Sequence, residues 1–264
     1  MHATDFPIGA LASPEAVFHD LGRNPGRWAL FLDIDGTLLD LAPTPDTIQV
    51  PTSLPTDLHN ISAHLNGALA LVTGRALVYA DSLFQPYHFP IAGLHGAEMR
   101  GSDGTILPAL VTPAFAALKR SLAERASVMK GVVVEDKGAA IAAHYRLAPE
   151  FDEPLGDLMR DFVAQAGDGW VLQLGKMVYE IRPAKSSKGE AVARYLQEPV
   201  FAGRRALALG DDLTDESMFS AVNAMGGYSI RVGSGEVKTA ALGRLASPEA
   251  VRQTLAALAA GKPI

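Results

Sequence analysis

Residues 31–40 read FLDIDGTLLD and follow directly on the apolar residues 28–30. A short apolar run that ends at a polar turn is typical of a buried strand. Asp33 and Asp35 are separated by one residue, so in an extended chain both carboxylates lie on the same side. Two like charges that close repel each other, and the repulsion costs stability unless a cation or a chemical task offsets it. The segment therefore predicts a strand that ends in a functional pair of acids.

The tripeptide Asp-Gly-Thr within this stretch is also ordinary turn chemistry, and the chain contains a second copy at 103–105. That copy has no apolar run before it and no second acid two residues earlier. We therefore interpret 101–105 as a hairpin turn and the copy at 35–37 as part of a site.

Similar apolar runs recur along the chain and end at polar residues or glycine: ALALV before Thr73, RALALG before Asp211 and SIRVG at 229–233. They alternate with segments of helical length at 54–66 and 215–225. This alternation predicts an α/β protein with a Rossmann-like, doubly wound parallel sheet. In such sheets ligands bind beyond the carboxyl ends of the strands, where the polar residues lie.

The middle of the chain has a different pattern. Residues 109–126 and 151–165 have helical spacing, and each segment precedes two strand-like runs separated at glycine: VVVEDKG with AAIAAHYRL, and GWVLQLG with KMVYEIRP. We predict an inserted α/β cap domain at 109–182, with an antiparallel sheet plus two helices. The catalytic core would then be discontinuous, from 1–108 and 183–264.

The composition limits the possible functions of the 264 residues. The formal net charge of -6, without a cluster of basic and aromatic residues, argues against nucleic-acid binding. No cysteine is present, which excludes disulfides and zinc thiolate sites and fits a reducing compartment. The beginning of the sequence lacks the pattern of a secretory signal, and no apolar run is long enough to span a membrane. We expect a cytoplasmic monomer without a membrane partner.

A second acidic group follows the strand RALALG, in the sequence GDDLTDE at 210–216. Some of its acids, Asp211, Asp212, Asp215 and Glu216, fit helix caps and first-turn charges. Together with Asp33 they would nevertheless converge at one edge of the sheet. Oxygen ligands without Cys or His favour Mg²⁺ over Zn²⁺.

Two further segments supply groups that bind phosphate. Thr73 ends a strand with a hydroxyl donor, and Lys188 precedes a predicted helix in KSSKGE. A lysine at a helix N-terminus opposes the helix dipole, so a phosphate contact explains it better than a solvated surface does. We prefer Lys188 over Lys185 because it adjoins the glycine and the start of the helix.

These groups together are suited to transfer of a phosphoryl group through an aspartyl phosphate. Asp33 would attack phosphorus, while Thr73 and Lys188 hold the phosphate oxygens. Asp35 would donate a proton to the leaving oxygen and later accept one from water.

The four motifs DIDGT at 33–37, TGR at 73–75, KG at 188–189 and GDDLTDE at 210–216 resemble those of the haloacid dehalogenase superfamily of phosphohydrolases, in the same order. The resemblance spans about residues 28–233. It implies Mg²⁺ held by Asp33, the backbone carbonyl of Asp35 and Asp211, with Asp212 or Asp215 nearby. An insert between the second and third motifs resembles the subgroup with an α/β cap.

Within that subgroup, the motifs GDDLTDE, VTGR, GLHGAE and VEDK are most similar to those of the trehalose-6-phosphate phosphatases. This resemblance implies a sugar phosphate as the small-molecule partner and hydrolysis of a phosphoric monoester. Two cap residues of the E-x-K pattern and a later glutamate would reach sugar hydroxyls. The matching positions are Glu135, Lys137 and Glu180. We add Gly74, Arg75 and His95 as candidate substrate-binding residues.

Several other functions fit the same residues. A capped phosphatase for sucrose 6-phosphate, mannosyl phosphoglycerate or a hexose phosphate would differ only in its cap contacts. A phosphomutase would return the phosphoryl group to its substrate. A receiver-like switch that accepts phosphate also uses clustered acids, a hydroxyl and a lysine, although Asp35 and the cap insert argue against it. His95 also fits a buried core histidine. A solvated sheet face with cross-strand ion pairs would explain the charged residues on the two cap hairpins, which are Glu135, Lys137, His144, Arg146, Glu180 and Arg182.

Overall fold

The computed structural model describes residues 13–42, 47–109, 111–184, 186–235 and 237–262. Lys185, the lysine that the sequence analysis set aside, lies outside these residues. Within the described ranges, the larger of two sheets has eight strands. In chain order these are β1 Trp28–Leu32, β2 Leu69–Val72, β3 Ile91–Gly93, β4 Glu98–Arg100, β5 Ile106–Leu107, β10 Arg205–Gly210, β11 Tyr228–Val232 and β12 Gly243–Leu245.

The strands of the larger sheet follow the order β12-β11-β10-β1-β2-β3-β4-β5. From β12 to β3 all neighbours are parallel, and the β1 run WALFL is buried throughout. The sequence predicted a parallel sheet, but β4 and β5 are antiparallel, which makes the sheet mixed. The turn between β4 and β5 contains the second Asp-Gly-Thr copy, and the hairpin prediction for 101–105 is confirmed.

Helices pack around this sheet in two groups. The helices of this unit are α1 Pro14–Arg23, α2 Leu54–His64, α3 Leu77–Leu83, α6 Lys188–Tyr195, α7 Glu216–Ala224 and α8 Pro248–Ala259. Helix α8 contacts both α1 and α2, and α6 packs against α7, with their apolar residues in one core with the strands. The α/β fold class with its sheet core is confirmed.

Three of these helices begin with the same capping chemistry. The hydroxyls of Ser13, Ser187 and Ser247 accept hydrogen bonds from backbone N–H groups in the first helical turn. Satisfying a free N–H at the start of a helix stabilises it by about 1 kcal/mol. One of these serines, Ser187, determines where α6 begins and therefore where Lys188 lies.

The second sheet has four antiparallel strands in the order β6-β7-β9-β8, from β6 Val133–Asp136, β7 Ile141–His144, β8 Trp170–Gly175 and β9 Val178–Pro183. Helices α4 Pro113–Ala126 and α5 Asp152–Ala166 pack with it around a separate apolar core. We call this sheet with its two helices the cap. The composition of the predicted insert is confirmed, whereas its boundaries at 109 and 182 stay a prediction.

Among the helices in the described ranges, none combines the length and the hydropathy that are needed to cross a bilayer.

Candidate active site

The carboxyl ends of β1, β2 and β10 lie side by side, because these strands are parallel neighbours. They open into a cleft that the cap covers from the other side. Most of the predicted site residues line this cleft: Asp33, Asp35, Gly74, Arg75, His95, Glu135, Lys137, Glu180, Lys188, Asp211 and Asp212. Thr73 and Asp215 are fully buried next to these residues.

The backbone after β1 turns sharply and places the acid pair. Asp33 continues the ladder by donating its N–H to Leu209 O at 3.0 Å, and its side chain is buried. Gly36 has a φ of +78°, and its N–H donates to Leu39 O at 2.7 Å. A Cβ on Gly36 would lie 2.2 Å from a carboxylate oxygen of Asp211. The glycine therefore lets the β1 loop approach the acidic loop after β10.

Lys188 connects the two acidic segments. Its ammonium donates to Asp33 Oδ1 at 2.6 Å and to Asp215 Oδ1 at 2.7 Å, with all three side chains buried. Burial opposes the charged form of the lysine, but the carboxylates of Asp215 and Asp33 outweigh it and raise the pKa of Lys188. The lysine is therefore a permanent cation that fixes the orientation of Asp33.

Asp215 organises the loop after β10. Its Oδ2 accepts hydrogen bonds from the N–H groups of Asp211 and Asp212, both at 2.9 Å. Asp212 in turn is the N-cap of a capping box with Asp215. A Cβ on Gly210 would lie 2.3 Å from the Asp215 carboxyl carbon, so the end of β10 also needs a glycine. Of the two acids that the sequence left open, Asp215 is the one that lies buried beside Asp33.

Carboxylate oxygens of Asp33, Asp211 and Asp215 lie within 4.8 Å of one another. Burial and then the nearby Asp215 raise the pKa of Asp211 to about 7. The pKa of Asp33 is also raised, mainly by burial, with Lys188 acting in the opposite direction. Asp211 Oδ1 is buried and has no hydrogen-bond partner among the residues that the structure describes. An all-oxygen donor set of this kind fits a hard divalent cation such as Mg²⁺.

The segment after β2 supplies a hydroxyl and a guanidinium. Thr73 Oγ1 accepts the N–H of Arg75 at 3.1 Å, which leaves the hydroxyl hydrogen free to donate to another group. Arg75 donates through two nitrogens to the two carboxylate oxygens of Asp35, each at 2.6 Å. Asp35 is therefore held by a guanidinium rather than by the lysine that holds Asp33.

Strand register brings one row of cap residues to the cleft. Glu135, Ala142, Glu180 and Gln173 are paired across the four strands, and the three polar members line the cleft. Glu135 contacts His144 at 2.9 Å. Polar side chains aligned in this way can bond several hydroxyls of one sugar.

A buried network joins the cap to the core sheet. Lys137 donates to Glu180 at 2.6 Å and to the carbonyl of Gly74 at 3.3 Å. His95 Nε2 lies 3.4 Å from the other oxygen of Glu180. Burial opposes ionisation of this glutamate, but Lys137 and His95 outweigh it and lower the pKa of Glu180. These contacts therefore join the predicted sugar-binding residues of the cap to those of the core.

Several residues that line the cleft were absent from the predicted site, among them Gln173 and Arg146. Gln173 lies directly across from Glu180, and Arg146 donates to the carbonyl of Ala42 in the core loop. The period-two alternation of the cap strands could have indicated Gln173 once the register with Glu180 was known. Arg146 belongs to the group of charged residues on the two cap hairpins that the sequence indicated.

The fold and the site together define a class: the protein is a phosphohydrolase of the haloacid dehalogenase superfamily. The family model described as trehalose-phosphatase matches residues 31–249. The chain belongs to the trehalose-phosphatase family, and the resemblance seen in the sequence is confirmed.

Relatives with known names agree with this assignment. A probable trehalose-phosphate phosphatase from Sinorhizobium fredii is 58% identical over 90% of each chain. The trehalose-6-phosphate phosphatase of Escherichia coli is 42% identical over 79% of each chain. Among solved structures, the C-terminal domain of a Candida albicans trehalose-6-phosphate phosphatase superposes with a TM-score of 0.79, at 23% identity, covering 94% of this chain and 97% of that one. This last comparison supports the fold.

Proposed function

We propose that this protein hydrolyses trehalose 6-phosphate to trehalose and inorganic phosphate, through a phosphate ester on Asp33. The observation that carries the proposal is that Lys188 holds Asp33 beside two further acids, while the polar row of the cap faces the same cleft. The choice of trehalose 6-phosphate follows from the names of the relatives, because the residues of the cleft by themselves indicate only a sugar phosphate.

Asp33 is the proposed nucleophile because it is fixed in orientation and lies at the end of β1. Its carboxylate oxygen would form a bond to phosphorus as the bond from phosphorus to the sugar oxygen breaks. Asp35 would give that oxygen a proton, and would then take a proton from the water that attacks phosphorus and releases Asp33. Thr73 would donate its hydroxyl hydrogen to a phosphate oxygen.

Mg²⁺ is the proposed cofactor, with Asp33 and Asp211 as ligands and Asp215 supporting them. When bound, it would neutralise the negative charge between the acids and the phosphate. Lys188 supplies part of the same neutralisation through its contacts with Asp33 and Asp215. Asp212, which caps the following turn, is proposed to shape the loop and the wall of the cleft.

Recognition of the sugar is proposed to come from the cap and from the core residues that contact it. Glu135, Lys137 and Glu180 would bond sugar hydroxyls, with His95 and the Gly74–Arg75 segment completing the cleft from the core side. Lys137 and His95 orient the carboxylate of Glu180, which would accept hydrogen bonds from sugar hydroxyls at the wall of the cleft. A monomeric state and a cytoplasmic location stay predictions.

The proposal is tested by phosphate release from trehalose 6-phosphate, sucrose 6-phosphate, glucose 6-phosphate and mannosyl phosphoglycerate, with and without Mg²⁺. We expect a strong Mg²⁺-dependent preference for trehalose 6-phosphate, and loss of turnover in Asp33→Asn. Asp35→Asn should be similarly slow, while Asp103→Asn, in the matching tripeptide of the surface hairpin, should behave as wild type. Preference for another sugar phosphate would disprove the substrate assignment but retain the chemistry.

A further inference from the structure

The cap sheet has two adjacent rows of residues that point to opposite sides. The row of Glu135, Glu180 and Gln173 faces the cleft. The next row is Asp136, Ile141, Ile181 and Leu172, and its isoleucines are buried in the cap core with residues of α4 and α5. Asp136 is thus a charged residue at the edge of an apolar row that faces the helices.

Lys119 of α4 is the partner of Asp136. Its side chain is only 8% exposed, and its ammonium donates to Asp136 Oδ1 and, at 2.6 Å, to the carbonyl of Gly138. The same Asp136 oxygen accepts the N–H of Gly138 at 2.8 Å. One buried lysine therefore closes the turn that follows β6 by holding a side chain and a backbone carbonyl together.

This turn contains Lys137, whose ammonium reaches into the cleft. The backbone of Lys137 donates to Ala140 O at 3.0 Å, and its side chain contacts Glu180 and Gly74. Beyond the turn, Ala139 and Ala140 are buried and pack against Leu94, which follows β3 of the core sheet. The position of the Lys137 side chain therefore depends on how Lys119 fixes the residues on either side of it, Asp136 and Gly138.

The helix side of this arrangement is itself rigid. Phe115 lies one turn before Lys119, with its ring centroid 5.7 Å from the ammonium, and it stacks on Trp170 of β8 at 3.5 Å. Burying an ammonium is an inefficient way to gain stability, because its desolvation offsets much of the ion-pair energy. A charged group at this position is better explained by the precise placement that it imposes on the turn.

We propose that Lys119 is a positioning residue for sugar recognition. Through Asp136 and Gly138, it holds the turn that presents Lys137, and next to it Glu135, to the substrate. The residue would touch no substrate atom itself. This inference rests on the proposed function, because it assigns the hairpin to recognition of the sugar rather than to phosphoryl transfer.

The test compares two substrates in the same enzyme preparations. Wild type, Lys119→Met, Lys119→Arg and the control Arg120→Met are assayed with trehalose 6-phosphate and with p-nitrophenyl phosphate, which has no sugar. Arg120 is the exposed neighbour on the same helix, so its replacement removes a charge without affecting the turn. We expect Lys119→Met to raise KM for trehalose 6-phosphate about tenfold, with kcat/KM for the aryl phosphate within about twofold of wild type.

Lys119→Arg keeps donors for both acceptors and should recover part of the sugar preference, which a merely structural role would not require. If Lys119→Met does not fold, Asp136→Ala removes the same contact from the more exposed partner and should change the substrate ratio in the same direction. A folded variant with the wild-type substrate ratio, or with equal losses on both substrates, would overturn the inference. A wild type that fails to prefer the sugar phosphate would instead overturn the proposed function, and the inference with it.

Discussion

Arg75 holds both carboxylate oxygens of Asp35, with 2.6 Å from Nε to Oδ2 and 2.6 Å from Nη2 to Oδ1. The guanidinium also lies over the ring of Tyr79, with 4.5 Å between Cζ and the ring centroid. A planar two-pronged contact of this kind determines both the position and the rotation of the carboxylate. The proposed acid and base is thus oriented by a residue that also lines the cleft.

Arg75→Lys should lower kcat on trehalose 6-phosphate by about 10- to 100-fold. A lysine keeps the positive charge but loses the planar fork, so Asp35 would be free to rotate away from the leaving oxygen. Steady-state kinetics at saturating Mg²⁺ measures this effect. An unchanged kcat would show that the orientation of Asp35 does not depend on the arginine.

The control for Arg75→Lys is Arg100→Lys, which breaks a similar two-pronged contact with Asp81 away from the cleft. Arg100 also donates to Phe89 O at 3.1 Å, so its replacement should lower the melting temperature. Its kcat should stay at the wild-type value. A loss of turnover in both variants would point to a general effect of arginine replacement on folding.

Mg²⁺ should stabilise the folded protein. The oxygens of Asp33, Asp211 and Asp215 within 4.8 Å repel one another without a cation, and a ligand that binds only the folded state adds to its stability. At a Mg²⁺ concentration about 100 times the dissociation constant, we expect the melting temperature to rise by about 5 °C. Differential scanning fluorimetry with Mg²⁺ and then with EDTA measures the change and its reversal.

Two single substitutions in the loop after β10 distinguish a metal ligand from an N-cap residue. Asp211→Asn should remove most of the Mg²⁺-dependent rise, because Asp211 has the buried oxygen that lacks a partner among the described residues. Asp212→Asn should keep the rise, since Asp212 acts as an N-cap and asparagine is an equally good one. The opposite result would exchange the roles of the two acids.

Gly36→Ala should disrupt the site more than a single methyl group would suggest. The new Cβ would lie 2.2 Å from the Asp211 carboxylate, and the φ of +78° is unfavourable for alanine. We expect a loss of roughly 1–3 kcal/mol in the free energy of unfolding, together with loss of the Mg²⁺ response. Gly104→Ala is the matched control, because it has a similar φ of +83° and open space around it. That control should lose stability but keep full activity.

The strand ends were predictable from the sequence, whereas the roles within the acidic loop were not. WALFL and RALALG are apolar runs with polar ends, and parallel pairing necessarily brings their acids together. Which of Asp212 and Asp215 is buried depends on the backbone of a single turn after β10, where Asp215 folds back onto two N–H groups. No spacing rule distinguishes the two acids before that turn is seen.

Contacts between distant segments could not be predicted from the sequence either. Gln173 and Glu135 share a row only because β7 and β9 lie between their strands in a particular register. The sequence does not distinguish Lys119 from other helix residues. Its burial follows from packing of α4 on β6, the edge strand of the cap sheet. The antiparallel strands β4 and β5 are short, so their direction was determined by the turn rather than by a hydrophobic pattern.

His95 gives the folded protein a dependence on pH. The residue is buried in a left-handed conformation with a φ of 57°, and its ring faces Glu180 of the cap. Burial lowers the pKa of His95, and Lys188 and Lys137 act in the same direction, while Glu180 opposes them. The folded protein therefore holds fewer protons at this position than the unfolded chain does near the ordinary histidine pKa of 6.5.

Stability contributed by His95 should therefore be fully present above about pH 6.5 and decline as the pH falls towards the lowered pKa of the folded state. Urea unfolding between about pH 8 and pH 5 measures this decline. Asp211, whose pKa is raised to about 7, also titrates in this range, so the contribution of His95 is the difference between wild type and a His95 variant. His95→Gln, which cannot take up a proton, should have a shallower decline than wild type, even if its stability at high pH is lower. His88→Gln is the control, since the His88 side chain is 67% exposed and should leave the decline unchanged. Equal slopes for wild type and His95→Gln would mean that the pH dependence comes from another group.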